Sequence, residues 1–243
     1  MKILTLNIWN LNNPLEHRMN LLQENLKKIK PQIICFQEVS LINGKPQISQ
    51  MMDSLQYSLV YQKSGMWQGR EEGLTIATNL PIVEVKHYFL PMEHAYNDMQ
   101  RILQKVIVQH NRKTICILNT HLAYHIKSGL CRVIQMDFIS SVISFLKAKY
   151  DYIILCGDFN CFELESIHVE SFIKKSFLID SALEKKNTFS SDNPYVSAEL
   201  WPNRRIDFIF SNNKDLVSDV CMCNNDKLSI CTDHYGVLGQ GEF

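Results

Sequence analysis

An α/β architecture, two packed and mostly antiparallel β-sheets flanked by helices, is predicted by three features of this sequence. Short apolar and β-branched runs recur at strand length along the chain. Several of them follow one another between Ile82 and Asn119 with no helical stretch between, which disfavours a purely parallel, doubly wound sheet. A few segments repeat their apolar residues at helical spacing instead, enough to cover sheets from outside.

The elements are expected in this order. Ile3 to Ile8 reads as a first strand. Met19, Leu22, Leu26 and Ile29 fall on one helical face, and Pro31 stops that helix. Ile33 to Phe36 is a short buried strand ending at Gln37-Glu38. A weak helix around Ile48 to Leu55 precedes strands at Tyr57–Tyr61, Leu74–Thr78, Ile82–Phe89, Ile102–Val108 and Thr114–Asn119. Leu130, Val133, Ile134, Val142, Ile143 and Leu146 mark an amphipathic helix. Tyr152–Cys156, Ile206–Phe210 and Tyr235–Leu238 complete the strands. No repeat, low-complexity tract or Pro/Gly/Ser-rich linker divides the sequence, so a single domain over residues 1–243 is expected.

Composition narrows the function classes. The 243 residues are 46% hydrophobic and 21% charged, which excludes a disordered chain and suffices for a substantial core. Lys plus Arg and Asp plus Glu are 25 each. That balance argues against a protein that grips nucleic acid by bulk positive charge, although acidic metal ligands can conceal a local basic face. The eight cysteines lie mostly in apolar strand runs and show no paired CxxC spacing for zinc. Cys221-Met222-Cys223 would put two thiols on one strand face. The opening MKILTLNIWN is too short an apolar stretch for an export signal or membrane span, so a cytoplasmic, monomeric protein without a transmembrane segment is expected.

Polar residues interrupt the strand ends in a repeated way. Asn7 follows Leu-Thr-Leu, Glu38 follows Ile-Cys-Phe-Gln, and His121 follows Ile-Leu-Asn-Thr. Asp158 and Asn160 follow Ile-Leu-Cys-Gly, Asp207 follows Arg-Arg-Ile, and Asp233-His234 precedes Tyr-Gly-Val. Strand ends are rigid platforms from which side chains converge. Carboxylates and amides suit a hard divalent cation, and histidines suit the charge developing on a phosphate.

In order, the segments LNIWN, QEV, EEGLTI, NTHL, GDFN, RIDFIF and TDHYGV resemble the successive signatures of the endonuclease/exonuclease/phosphatase family, and they span essentially the whole chain. The resemblance implies a DNase-I-like, four-layered α/β sandwich with its site at one edge of the sheets. It implies a phosphodiesterase that uses Mg²⁺, with Mn²⁺ as a substitute. Glu38 matches the family's principal metal-binding glutamate, Asn7 the asparagine beside the metal, and Asp233 the late aspartate that assists there. Asp158 resembles the residue that orients or deprotonates the attacking water, and Asn160 the one that holds that water and a phosphate oxygen. His234 would face the scissile phosphate with Asp207 fixing its tautomer. His121 matches a second phosphate-contacting histidine, and Glu72 the acid that orients it.

Residues taken singly also have plainer readings. Polar residues at turns are often structural or solvated, as Glu38, Asn7, Asp158 or Asn160 alone would be. Asp207 alone reads equally as a salt-bridge partner of Arg204 or Arg205, and His121 as a core or rim histidine. Glu71 competes with Glu72. Asn119 either lines the site or closes its strand, and Tyr124 and His125 either touch substrate or, the commoner case, are solvated loop residues. The Glu163/Glu165 pair reads as a polar helix start.

The resemblance implies a phosphodiester substrate and leaves nucleic acid and phospholipid head group both open. LNIWNLNN lacks the Gly and Arg found near the first strand of exonuclease-III-like enzymes, which counts against an abasic-site endonuclease. TDHYGV and Thr-His-Leu-Ala-Tyr are closer to the sphingomyelinase and general phosphodiesterase branches. Met66-Trp67 and Leu200-Trp201-Pro202 read as loop aromatics that stack on a base, enter a lipid interface, or anchor the core. A catalytically silent binding module on the same fold is the alternative function.

Overall fold

The structure, a computed structural model, describes residues 1–92, 98–161, 166–196 and 203–243. Glu163 and Glu165, and Trp201 with its neighbours, lie outside the described residues.

The chain opens with β1 (Lys2–Asn7), α1 (Leu15–Ile29), β2 (Ile33–Ile42), β3 (Lys45–Pro46) and α2 (Ser49–Ser54). The strands β4 (Ser58–Trp67), β5 (Arg70–Thr78), β6 (Ile82–Phe89), β7 (Ile102–His110) and β8 (Lys113–His121) follow. Then come α3 (Gly129–Leu146), β9 (Tyr152–Asp158), α4 (Ser166–Ser176), β10 (Ile179–Asp180), β11 (Asp207–Ser211), β12 (Val217–Cys221) and β13 (Gly236–Gln240).

Two mixed sheets result. One runs β12-β13-β1-β2-β5-β4, with the short β3 on β2, and the other β10-β11-β9-β8-β7-β6. Each contains one parallel pair, β1 with β2 and β8 with β9; the other pairings are antiparallel. The expected two-sheet α/β sandwich is therefore what the chain forms.

Strand alternation sorts side chains into three cores. In β1, Leu4 and Leu6 point at α1 beside Leu22 and Leu26, whereas Ile3 points between the sheets. In β9, Ile153 and Leu155 face α3 and α4, whereas Ile154 and Cys156 join Ile3, Ile33, Ile76, Ile117 and Ile209 between the sheets. Each fully buried side chain of this size contributes roughly 1.5–3 kcal/mol. Helix, sheet, sheet, helix is the resulting layer order.

Several elements differ from expectation. β2 continues past Gln37-Glu38 to Ile42 because a bulge between Phe36 and Val39 absorbs the polar pair without ending the strand. Met66-Trp67 is the end of β4, not a loop. Cys221 ends β12, and Met222 turns into the left-handed region at φ 57°, so Cys221 and Cys223 do not share a strand face. Asn119 closes no strand and lines no cleft: it donates to Phe36 O and Thr75 O and accepts from Gln37 Nε2 at 2.8 Å, bolting the two sheets together. α3 has the length and hydropathy of a membrane span, yet its buried face carries Arg132 and Gln135 alongside Met136, Ile139 and Ile143 in the core. It is a core helix rather than a span.

Candidate active site

The two parallel pairs send the C-terminal ends of β1, β2, β8 and β9 to one edge of the sandwich. β11 and β13 run antiparallel to β9 and β1, so they bring their N-terminal ends to the same edge. Asn7, Glu38, His121, Asp158, Asp207 and the Asp233-His234 turn are thereby gathered from across the sequence. The register Asp207↔Asp158 and His121↔Asp158 places three of them on adjacent strands. They surround an open cleft of about 370 Å³ whose lining includes Glu38, Glu72, His121, Asp158, Asn160, Asp233 and His234.

Unusual backbone aims these side chains. Glu38 sits in the β2 bulge at φ 55°, and Asn160 follows β9 at φ 49°, both in the left-handed region, which is costly for a glutamate and tolerated by an asparagine. Gly157 precedes Asp158 at φ 149°, and a Cβ there would lie 2.1 Å from Thr120 O. Only glycine lets β8 and β9 approach closely enough to set His121 beside Asp158.

Asp158 is the hub. Its Oδ1 accepts the Asn160 backbone N–H at 2.8 Å, and its Oδ2 accepts Asn7 Nδ2 at 3.1 Å. The same Oδ2 lies 3.5 Å from His121 Nε2 and 3.8 Å from His234 Nε2. Asn7 Nδ2 also reaches Glu38 Oε1 at 3.0 Å, and Thr232 ties the last segment to the first by donating to Asn7 O at 2.8 Å.

Asp207 answers the choice left open by sequence. Arg205 forms a bidentate pair with Asp180 at 2.6 Å on both nitrogens, and Asp207 instead accepts from His234 Nδ1 at 2.9 Å. The Ile206 and Asp207 backbone N–H groups both donate to Thr188 Oγ1, which fixes the carboxylate's position.

The two histidines are driven apart. Burial opposes charge on His234, but Asp207, with Asp233 and Asp158 nearby, overcomes it and pushes its pKa up to about 10. Burial and the Arg101 guanidinium push His121 down to about 3, so it is a neutral donor or acceptor. Glu38 is raised chiefly by burial, against the Asn7 hydrogen bond and the His234 charge. Burial and then the Glu38 charge raise Glu72. Asp233 is raised by burial, with Glu38 adding and His234 opposing. These buried carboxylates crowd together, an oxygen donor set that fits a hard divalent cation. Asp158, Asp207 and His234 also bring one ligand atom each within 4.8 Å of one another. His234 Nδ1 and Asp207 Oδ2 already satisfy each other there, whereas the oxygens of Glu38, Asn7 and Asp233 could also hold a cation.

Glu72 is buried in the cleft, but no hydrogen bond joins it to His121, and Asn10 Nδ2 donates to Glu72 Oε2 at 3.4 Å. Glu71 turns away to Lys63. Tyr124 is no solvated loop residue: it lines the cleft in edge contact with Trp67 at 5.2 Å. Sequence reasoning missed Asn10, which bridges Glu72 and Glu38 Oε2, and Arg101, held by Asp98. It also missed Arg204, which lies over the Phe189 ring that in turn abuts His234. No motif surrounds Arg101; the Arg204-Arg205 doublet beside Asp207 was the available signal for the other.

The model of the Endonuclease/Exonuclease/phosphatase family matches residues 4–234. The chain belongs to that family. Within the family, protein angel homolog 2 of Bos taurus is 28% identical over 202 residues, covering 75% of this chain and 36% of its own length. The chain thus spans about a third of the curated relatives it matches. Among solved structures, a family protein from Leptotrichia buccalis superposes with TM-score 0.80 at 20% identity over 100% of both chains. TDP2 of Caenorhabditis elegans gives 0.77 at 16%, covering 98% of this chain and 73% of its own. TDP2 of D. rerio, complexed with single strand DNA product, gives 0.77 at 18%, covering 100% and 99%. These likenesses place the fold in the DNase-I-like class. Endonuclease/exonuclease/phosphatase proteins are hydrolases of phosphoric esters, of phosphodiesterase and nuclease type.

Proposed function

We propose that this chain is a divalent-metal-dependent phosphodiesterase that cleaves single-stranded nucleic acid by in-line attack of water. The observation that carries the proposal is Asp158, whose Oδ2 faces an amide and two imidazoles while its Oδ1 is pinned by the Asn160 backbone.

Glu38, Asn7 and Asp233 would hold Mg²⁺, with Mn²⁺ as a substitute. The ion would draw charge from the phosphate and favour the displacement. Asp158 accepts the proton of the attacking water as the new P–O bond forms, and the ester P–O bond breaks with the leaving oxygen taking its proton from solvent in the open cleft. Asn160, anchored by its Nδ2 on Leu122 O, offers its remaining amide hydrogen and carbonyl to that water and to a phosphate oxygen. His234 keeps its proton because of Asp207 and donates from Nε2 to the phosphate, while neutral His121 supplies a second hydrogen bond. No covalent enzyme intermediate is needed.

Support for nucleic acid comes from the rim. Trp9, Trp67 and Tyr124 line the cleft, and Arg101 and Arg204 stand among them. Unstacked bases bind such aromatic surfaces with little dependence on sequence, and arginine meets the backbone phosphates. A D. rerio TDP2 structure holding single strand DNA product is a fold relative consistent with that choice. The test is hydrolysis of end-labelled single-stranded DNA and RNA beside sphingomyelin, each with Mg²⁺ and with chelator. Metal-dependent cleavage of the strand is expected. Cleavage of sphingomyelin alone would overturn the substrate class, and no cleavage of any ester by metal-loaded protein would favour the silent binding module.

A further inference from the structure

Arg18 in the first turn of α1 is one of the largest fully buried side chains of the protein. Burying a guanidinium is expensive unless every donor is met, and the usual solution is a carboxylate. Among the described residues no carboxylate pairs with Arg18. Its partners are backbone carbonyls: Nε donates to Asn12 O at 3.2 Å, and Nη2 to Asn12 O at 2.7 Å, Asn10 O at 3.2 Å and Trp9 O at 3.4 Å. Nη1 donates to Ile8 O at 2.8 Å and to Cys231 O at 3.4 Å. The guanidinium carbon also lies 5.0 Å from the Trp9 ring centroid.

Those carbonyls belong to two segments. Residues 8–12 leave β1 directly after Asn7, with Trp9 and Asn10 at φ 55° and 34°, where non-glycine residues are strained. Cys231 leads into Thr232, Asp233 and His234. The strained turn presents the Asn10 side chain to Glu38 Oε2 at 3.3 Å and Glu72 Oε2 at 3.4 Å. One fully buried fork therefore fixes the approach of both segments that border the acidic side of the cleft. A helix position that only needed packing would be served by an apolar residue, without the desolvation cost.

We propose that Arg18 is a positioning residue for the reaction. It locks the turn at residues 8–12 to the Cys231 segment, so that Asn10 holds Glu38 and Glu72, and Asp233 is held in place, before a cation binds. This rests on the phosphodiesterase reading for its catalytic consequence, while its structural consequence can be read without turnover.

Arg18→Lys keeps a charge and most of the volume but replaces the planar five-donor fork with one ammonium, whose three donors cannot meet all five carbonyls at once. Arg18→Met keeps the volume and removes the donors. Amide hydrogen exchange on the metal-free protein is the first readout. In Arg18→Lys, the amides of residues 8–12 and 231–234 should exchange at least about tenfold faster, while those of Leu22 to Ile29 keep their wild-type protection, because opening is then local. Calorimetry with Mn²⁺ should show weaker binding. On bis-p-nitrophenyl phosphate, kcat should fall roughly 10²-fold, the scale of a small misplacement of reacting groups, with KM little changed. Uniformly faster exchange through α1 would assign Arg18 to global stability and overturn the proposal, as would unchanged local exchange with unchanged Mn²⁺ affinity in folded Arg18→Lys. If Arg18→Met does not fold, the Lys variant still decides. If wild-type protein hydrolyses nothing while the exchange result holds, the phosphodiesterase reading fails and the clamp stands.

Discussion

His234 Nδ1 and Asp207 Oδ2 lie 2.9 Å apart with both side chains buried, an arrangement that turns a buried imidazole into a lasting cation. Because the carboxylate can only accept, Nδ1 carries the proton and Nε2 is left facing Asp158 and the cleft. The pair therefore fixes tautomer, orientation and charge together.

Stability should follow that charge. The pKa of His234, pushed up to about 10, lies above the ordinary value of 6.5. A raised folded-state pKa means the pair's stabilisation is complete below about pH 6.5 and is lost as the pH rises through about 10. Asp207→Asn, melted in excess chelator, should be less stable than wild type by about 3 kcal/mol or more at pH 6. The gap should narrow toward pH 10. A gap that stays constant across that range would show that the imidazolium is not what Asp207 stabilises.

Replacing Asp158 or His234 with Ala should abolish measurable turnover, with losses of about 10²–10⁴-fold or more for each, while a cooperative melting transition above the assay temperature shows the protein folded. Folded variants of either residue that keep near-native rates would remove it from the roles assigned.

Gly157→Ala should be among the most damaging single-methyl changes in the protein. The new Cβ would meet Thr120 O at 2.1 Å on a backbone at φ 149°. Destabilisation of roughly 3 kcal/mol or more is expected in a denaturant titration. Gly44→Ala shares a positive φ but meets nothing within 4 Å and should cost less, about 1 kcal/mol. Equal costs for the two would mean that β8 and β9 have room to separate.

Trp67→Ala removes half of the Trp67–Tyr124 pair at the rim without touching the acids or histidines. Affinity for a single-stranded oligonucleotide should weaken by about 1–3 kcal/mol, the value of one base stacked on an aromatic ring. The rate on bis-p-nitrophenyl phosphate, which has no base, should not change. Oligonucleotide affinity equal to wild type would take Trp67 out of substrate binding.

Much of this site was legible because its residues break apolar strands. Asn7, His121, Asp158 and Asp207 each sit at a strand boundary that hydrophobic patterning reveals, and mixed strand direction brings those boundaries to one edge. Elements without such a pattern were lost. β12 is Val-Ser-Asp-Val-Cys, too polar to register as a strand, although pairing with β13 makes it one. β10 is only two residues long. The extension of β2 to Ile42 depends on a bulge, a feature of pairing that a single strand's sequence does not carry. Residues that act through backbone carbonyls, as Arg18 does, leave no spacing to read, and the local Asp98–Arg101 pair carries no strand or helix pattern that marks it. Glu72, expected to orient His121, lines the cleft but takes its hydrogen bond from Asn10 instead.

Hydrolysis of bis-p-nitrophenyl phosphate, with and without Mg²⁺ and beside an Asp158→Ala control, tests most directly whether this cleft performs metal-dependent attack on a phosphodiester. Turnover that needs the metal, returns when chelator is titrated out, and disappears in the control is the expected result. Turnover undiminished in excess chelator, or retained by folded Asp158→Ala, would contradict it.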